Sequence, residues 1–419
     1  MPVKKKKYYS YVDDITKNKI KHCAMVSRAI QRFKSDIEKS KENSFPYYFD
    51  EIQADKVITF AENIKQFEGQ FAGKLLELQP WQCFILANLY GWRCKEDPTK
   101  RRFLSCFIFV ARKNGKSTLF AIMGLLDLLT EPAAQVVSGA TTLKQASIIK
   151  DMIAGFIDTN PKLAQRLHYN IRMIKNPKTF GRMFALCKNA KTFDGLNVSF
   201  ALMDECAAMP DSFLIDVIRS SQGSRKNPSM VQITTAGYNF KSPGYIEWNK
   251  AHDILNGRIN DDRFFTICYE YDKSDKWDDP NNFILANPNM GVSVFKENRL
   301  AELTNAKNIP QAKAEFLTKY CNIWLKNADS WFYPETLDKC ISELPAEIDL
   351  SNYPCYVGID ISSVNDFTAY TKVWFIPELK KFYMEHKFYI PSATVDAKYH
   401  SDSKQIYDWI REGFITACD

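Results

Sequence analysis

No apolar run in this sequence is long enough to cross a membrane. The longest, "FIFVA" and "FAIMGLLDLL", are too short or too interrupted for the roughly 20 apolar residues a spanning helix needs. No C-x-x-C pair occurs among the eleven cysteines, which argues against a structural zinc cluster or a disulfide framework. Reduced thiols in a cytoplasm fit that cysteine usage. The charged start "MPVKKKKYYS" is followed by no apolar region, so no secretory signal is expected. Internal repeats are absent, as is any low-complexity tract beyond the lysine run.

What remains is an ordinary globular composition, 45% apolar and 25% charged over 419 residues, long enough for two or three domains. The net charge of +7 is uneven. Residues 1–45 hold 12 Lys/Arg against 5 Asp/Glu, and the rest of the chain carries 44 of each. Two readings of this basic start stand side by side: attraction to nucleic acid or an acidic partner, and a solvated tail followed by a surface helix.

Ile20, Cys23, Val26, Ile30, Phe33 and Ile37 recur at helical spacing, so residues 1–45 read as a basic arm with an amphipathic helix. From about 100 to 240 strands and helices alternate. "FLSCFIFVA" is a short continuous apolar run, as in a strand buried on both faces, and "STLFAIMGLLDLLT" reads as a helix. "AAQVVSGA", "NVSFALMDE" and "SMVQITTAG" read as further strands, with the helix "TLKQASIIKDMIAGFID" after the first of them. The fold class expected is α/β, a P-loop NTPase with a mainly parallel sheet covered by helices on both faces. Residues 46–262 are assigned to this domain, and 263–345, rich in Asp, Asn and Pro at first and then helical, to a linking subdomain. The segment 346–419 turns to closely spaced, apparently antiparallel strands with a final helix.

"VARKNGKST", residues 110–118, resembles a phosphate loop whose leading glycine is replaced by Val110. Such a loop needs a strand before it, a helix after it, a glycine for close approach, a lysine for phosphate charge and a hydroxyl for magnesium. Gly115, Lys116 and Ser117 supply the last three. "ALMDE" ends an apolar strand in two carboxylates. Asp204 would hold magnesium, and Glu205 would orient and deprotonate the attacking water. Both motifs sit at the C-terminal ends of strands, where open α/β sheets bind ligands. Arg112 is placed to stabilise charge developing on the γ-phosphate, and Gln82 to read an adenine edge with donor and acceptor together. Arg225 is a candidate to reach a neighbouring subunit's ATP.

In combination these segments resemble the large terminase subunit of tailed double-stranded DNA bacteriophages, over about residues 50–419. "LQPWQ" looks like that family's adenine motif. "ARKNGKS" is similar to its deviant phosphate loop, implying nucleotide contacts from Arg112, Lys113, Asn114, Gly115, Lys116, Ser117 and Thr118. "ITTAG" looks like its coupling motif, with Thr234, Thr235, Ala236 and Gly237 linking ATP state to DNA movement. "LANPNMG" and "FLTKYCNIWL" resemble the segment between motor and nuclease, and "GIDISSVNDFTAY" the start of an RNase H-like nuclease. The resemblance implies an ASCE-type ATPase using ATP and Mg2+ and translocating duplex DNA into a procapsid. Its partners would be the portal protein, the small terminase subunit and copies of itself in a ring, in the cytoplasm of the infected host.

A two-metal nuclease, using Mg2+ or Mn2+, needs several converging carboxylates. Asp360 is the expected first ligand and Asp366 a second, while Asp396 and Asp408 fall in loop-like and helical stretches. On this reading the nuclease portion looks partial. Two other functions remain open: a helicase-like nucleic-acid-stimulated ATPase, and a non-catalytic docking remnant of a terminase.

Overall fold

The structure, a computed structural model, describes residues 6–188, 195–326, 340–362, 367–392, 395 and 403–418. Chain contacts divide it into two units, Met1–Trp331 and Phe332–Asp419.

The first unit is built on a sheet whose strands are β3 (Ser105–Phe109), β4 (Gln135–Gly139), β5 (His168–Tyr169), β6 (Met173–Asn176), β7 (Gly181–Leu186), β8 (Phe200–Asp204), β9 (Ser229–Thr234) and β10 (Phe264–Cys268), after a small pair, β1 (Tyr47–Phe49) with β2 (Trp92–Cys94). The order is β10-β3-β9-β8-β4-β7-β6-β5. Every pairing from β10 to β7 is parallel, and β6 and β5 continue the edge antiparallel. Strand β9 is inserted between the phosphate-loop strand β3 and the acidic strand β8, so residues far apart in sequence finish on one edge.

Period-2 alternation sends successive side chains to opposite faces. Val136, Phe200, Leu202 and Val231 join the larger apolar cluster with α5 (Lys116–Thr130) and α6 (Leu143–Thr159). Val137, Ala201, Met203 and Met230 join a second cluster with α8 (Phe213–Ser221). Helices therefore cover both faces, as expected for a parallel sheet.

The expected boundary at 262 does not hold structurally. β10 pairs in register with β3, from Phe264 opposite Ser105 to Cys268 opposite Phe109, and belongs to the ATPase sheet. The segment after it has its own small core, with Phe283, Leu285, Leu303, Phe316 and Cys321, but that core includes Ala111 of the phosphate loop. It carries α10 (Phe283–Ala286), α11 (Lys296–Asn308) and α12 (Pro310–Lys319).

Residues 6–45 are not a separate arm either. Helix α1 (Lys7–Thr16) buries Tyr8, Tyr11, Val12 and Ile15, one face of a helix, and the Tyr11 hydroxyl lies 3.1 Å from that of Tyr269. Helix α2 (Ala24–Lys39) buries Met25, Val26, Ala29, Ile30 and Phe33; Ile20 precedes it and Cys23 is its N-cap. Two of the lysines read there are neutralised by acids on a neighbouring helix. Lys6 pairs with Glu51 and, at 2.8 Å, with Asp55 on α3 (Glu51–Glu62), and Lys7 pairs with Glu62 at 2.6 Å.

Arg102 locks this N-terminal layer to the sheet. It is fully buried, with Nη1 2.8 Å from Asp36 as a close ionic contact and Nε donating 2.9 Å to the Asp262 carbonyl. Its guanidinium lies 4.7–5.1 Å from the rings of Phe45, Tyr47, Trp92 and Phe103. Removing one member of such a pair strands a buried charge, at a cost of about 3–5 kcal/mol. Arg102→Ala is expected to lose that much in urea denaturation; a loss under ~1 kcal/mol would contradict the anchoring role.

The second unit contains the sheet β11 (Cys355–Asp360), β12 (Thr368–Ile376), β13 (Lys381–Pro391) and β14 (Ile415–Cys418), in that order. The first three strands are antiparallel, as read from sequence, and β14 joins β13 in parallel. Helix α13 (Ser403–Arg411) contributes Ile406 to a core with Ile390, Val395 and Ile415. Among the described residues no helix is long and apolar enough to cross a membrane.

Candidate nucleotide-binding and catalytic site

The valine that heads the phosphate loop needs no glycine's freedom. Its N–H donates 3.2 Å to the Thr234 carbonyl, so Val110 simply extends the β3–β9 ladder. The turn is made later, where Lys113 (φ 69°) and Gly115 (φ 77°) take left-handed backbone. A Cβ on Gly115 would sit 3.2 Å from Gln82 Nε2, so both the backbone angle and the close approach call for glycine. Helix α5 starts at Lys116, and its first N–H groups have no intrahelical acceptor, which makes an anion cradle.

The loop is braced by the segment read from sequence as a linker. Asn114, fully buried, donates from Nδ2 to the Ala111 carbonyl and to Asn287 Oδ1, each at 3.1 Å, while its Oδ1 accepts the Asn289 N–H at 3.0 Å. Asn289 Oδ1 accepts from Trp81 Nε1 at 2.6 Å, and Ser293 Oγ donates to the Lys113 carbonyl at 2.6 Å. The N–H groups of Ala111 and Arg112 donate to the carbonyls of Ala286 and Lys319. "LANPNMG" is thus a scaffold for the loop, a role its loop-like composition did not reveal.

Gln82 comes to the loop, with one change from expectation. Its Oε1 accepts the Gln79 N–H at 2.9 Å in a reciprocal capping box at the start of α4 (Pro80–Gly91). That hydrogen bond fixes the side-chain amide, and the nitrogen is the end directed at Gly115. Gln82, Gly115, Thr118, Gln79 and Asn289 line a cavity of about 300 Å³, sized for a small flat group beside the cradle.

Lys116 is partly buried, and its Nζ has only the Val110 carbonyl at 3.4 Å as an acceptor. Burial pushes its pKa down to about 8, against an opposing pull from Asp204 and Glu205. Burial raises the Asp204 carboxyl, Lys116 acts against that, and Glu205 adds to it. A cation that opens α5 and two carboxylates at the end of β8 therefore feel one another in a partly dehydrated place. Ser117 follows Lys116 on the first turn of α5, so the chain offers a hydroxyl, a carboxylate and a cradle: the donor set of a magnesium nucleotide.

Glu205 has left-handed backbone (φ 51°), which costs a non-glycine residue roughly 1–3 kcal/mol. Its N–H is held by the Ile233 carbonyl at 3.0 Å and by Asp204 Oδ1 at 2.9 Å. Its Oε2 accepts from Gln145 Nε2 at 3.4 Å. Gln145 was not singled out from the sequence. "TLKQ" does carry the signal of a helix start, Thr142 with Gln145 three residues on, and Thr142 is the N-cap of α6, but nothing local points to Glu205.

The threonines of β9 connect this tip to the linker segment. Thr234 Oγ1 accepts the Ala207 N–H at 3.0 Å; the Ala236 N–H donates to Asn322 Oδ1 at 2.8 Å; Lys319 Nζ donates to Thr235 Oγ1 at 3.2 Å and to the Ala236 carbonyl at 3.1 Å. Gly237 lies where a Cβ would meet Ala207 at 3.4 Å. Lys319 is a second cation near the site, its pKa lowered by burial and by Arg112; the sequence reading did not find it.

Arg112 reaches Glu315 on α12 at 3.4 Å, so its guanidinium faces the linker segment. Arg225 is tied to carbonyls at the other end of the sheet, Asn197 and Ala133, which precede β8 and β4. That is a structural capping role in place of the free finger expected. In the second unit Asp360 ends β11, exposed and opposite Ala369. Asp366 and Asp396 lie outside the described residues, and Asp408 is on α13. Among the described residues no group of three His, Cys, Asp or Glu is arranged to hold a metal ion.

Family models match both parts of the chain: "Terminase large subunit, ATPase domain" over residues 80–252 and "Terminase large subunit, endonuclease domain" over 258–419. The chain is 26% identical over 381 residues to the large terminase subunit of Enterobacteria phage HK97, covering 87% of this chain and 70% of that protein. It is 28% identical over 233 residues to protein YmfN of Escherichia coli K12, covering 54% of this chain and 51% of that protein. The match likewise spans about half the length of the large terminase subunit of Lactococcus phage SK1. The crystal structure of the HK97 bacteriophage large terminase superposes with a TM-score of 0.57 at 23% identity, covering 87% of this chain and 74% of that one; this is a likeness of fold.

Proposed function

The chain belongs to the terminase large subunit family, and from that premise we propose that it is an ATP-driven motor moving double-stranded viral DNA into a procapsid. One observation carries the proposal: the start of α5, the acidic end of β8 and the threonine end of β9 lie at one edge of the sheet, and the last two are hydrogen-bonded to each other through Glu205–Ile233 and Ala207–Thr234. A site that only stored nucleotide would not need its acidic tip wired to a strand end that continues into another segment.

In this reading the N–H groups opening α5 and Lys116 hold the phosphates, and Gln82 offers its amide N–H to the base. Ser117 and Asp204 would hold Mg2+, which when bound draws charge from the phosphate being transferred. Glu205, steadied by Gln145, takes the proton of the attacking water. Arg112 adds positive charge once it leaves Glu315. Thr234, Thr235, Ala236 and Gly237 pass the change at the acidic tip to Asn322 and Lys319. Asp360, with Asp366, would supply metal-binding carboxylates for DNA cleavage. Partners are duplex DNA, the portal protein, the small terminase subunit and further copies of the chain in a ring, within the infected bacterium.

Phosphate release measured with and without linear duplex DNA tests the proposal. Turnover that rises with DNA is expected. No turnover under either condition would overturn the motor assignment and favour a docking role.

A further inference from the structure

Near the N-terminus α3 pairs with Lys6 and Lys7; a second concentration of positive charge lies further along the chain. Residues 159–193 contain eight Lys/Arg and no Asp or Glu. Residues 168–186 of this stretch form the antiparallel edge β5–β6–β7. In register, His168 lies opposite Lys175 and Lys175 opposite Arg182. Directly paired residues share a face, so these three exposed side chains form one row across three strands, about 10 Å long at the usual strand spacing.

Like charges placed directly opposite destabilise a sheet, and among the described residues no carboxylate pairs with either Lys175 or Arg182, although the Arg182 guanidinium lies 5.8 Å from the Phe184 ring. Among the described residues none of Lys162, Arg166, Arg172, Lys175, Lys178 and Arg182 forms an ion pair, in contrast to Lys6 and Lys7. The turns at the two ends of β6 add Arg172 and Lys178, and both turns are fixed. Asn170 Oδ1 accepts the N–H groups of Arg172 and Met173, and Asn176 Oδ1 accepts that of Lys178 at 3.1 Å, while Asn176 is itself buried and bonded to the Leu128 carbonyl.

A charged edge can serve merely to block strand-to-strand aggregation. That task falls to the outermost strand, yet β5 contributes only His168 to the row, and the cations lie on β6, on β7 and in the turns. The exposed apolar residues Ile171 and Phe180 sit at opposite ends of β6, about 13 Å apart along the strand, so they make no continuous face for insertion into a bilayer. A rigid row of unpaired cations without an apolar face fits a phosphodiester backbone.

We propose that the β5–β6–β7 edge, through Lys175, Arg182, Arg172 and Lys178, binds the backbone of duplex DNA without reading its sequence. The choice of duplex DNA among polyanions rests on the motor reading; the surface itself does not. The test is binding of a short mixed-sequence duplex by fluorescence anisotropy over a series of salt concentrations, comparing the wild type with Lys175→Ala/Arg182→Ala and with Lys17→Ala/Lys19→Ala as a control. Each phosphate contact contributes about 0.9 to the slope of log affinity against log salt. The double variant should lose about 2 from that slope and bind roughly 50-fold more weakly at 0.1 M salt, with basal ATP turnover unchanged and the control like the wild type. An unchanged slope in a folded variant would overturn the proposal, as would a wild type that binds no duplex. Loss of binding to anionic vesicles with duplex binding intact would overturn it in favour of a membrane. A wild type that hydrolyses no ATP while its duplex binding still loses slope in the double variant would sink the motor reading and leave this surface standing.

Discussion

Lys116→Ala is expected to abolish ATP turnover while leaving the protein folded and no less stable. The two halves of that expectation have one cause. The ammonium is held in a partly dehydrated place that pushes its pKa down to about 8 from 10.5. Below that pKa the folded protein carries a charge it would rather not carry, a penalty on the order of 3 kcal/mol. The sign follows from the depressed value: the penalty is full below about 8 and declines as pH rises from about 8 to 10.5. Alanine removes the penalty along with the charge, so at neutral pH the urea midpoint should stay level or rise. Turnover should fall at least ~10³-fold, about 4 kcal/mol of transition-state stabilisation. A merely structural lysine would give the opposite pattern, lost stability with turnover retained in whatever remained folded. Full turnover in Lys116→Ala would remove the phosphate-loop assignment.

What could be read from sequence was what depends on short stretches. The runs that became β3, β4, β8 and β9 are mostly apolar because a parallel strand is buried on both faces, and the candidate catalytic groups follow directly from where those runs end. Val110 looked like a defect in the motif because a motif cannot show that this position is still paired in the sheet. β10 was misplaced for a related reason. "FFTIC" is as apolar as β3, but its partner lies about 160 residues earlier and an Asp/Asn-rich stretch follows it. The two-residue β5 and the lysine-bearing β6 give no clean alternation. Asn287, Asn289 and Lys319 were invisible as site residues because their work is done by amides and carbonyls meeting loop atoms some 170 to 200 residues away. The basic start drew attention because its charge is dense in sequence, yet Glu51, Asp55 and Glu62 answer Lys6 and Lys7 in space. Within 159–188 Lys188 is answered by Asp211, but Lys175 and Arg182 have no ion pair among the described residues, and only the strand register makes their alignment plain.

Glu205→Gln is expected to separate binding from hydrolysis. The amide keeps the size of the carboxylate, can adopt the same left-handed backbone held by Ile233, and can still meet Gln145. It also leaves Lys116, Ser117 and Asp204 untouched, so nucleotide affinity, read by titration with a fluorescent ATP analogue, should stay within a few-fold of wild type. What disappears is the capacity to accept a proton from water. General-base catalysis is worth roughly 10²–10⁴ in rate, and phosphate release should fall by that factor. Because the acidic tip is bonded to β9 through the backbone N–H groups of Glu205 and Ala207, to the Ile233 carbonyl and Thr234 Oγ1, the variant should also keep the strand-end geometry and accumulate in the ATP-bound state, holding duplex DNA without advancing along it. Equal losses of affinity and rate would place Glu205 among the ligands of the nucleotide. A rate within threefold of wild type would take the proton-accepting role away from it and direct attention to the carboxylate beside it, Asp204.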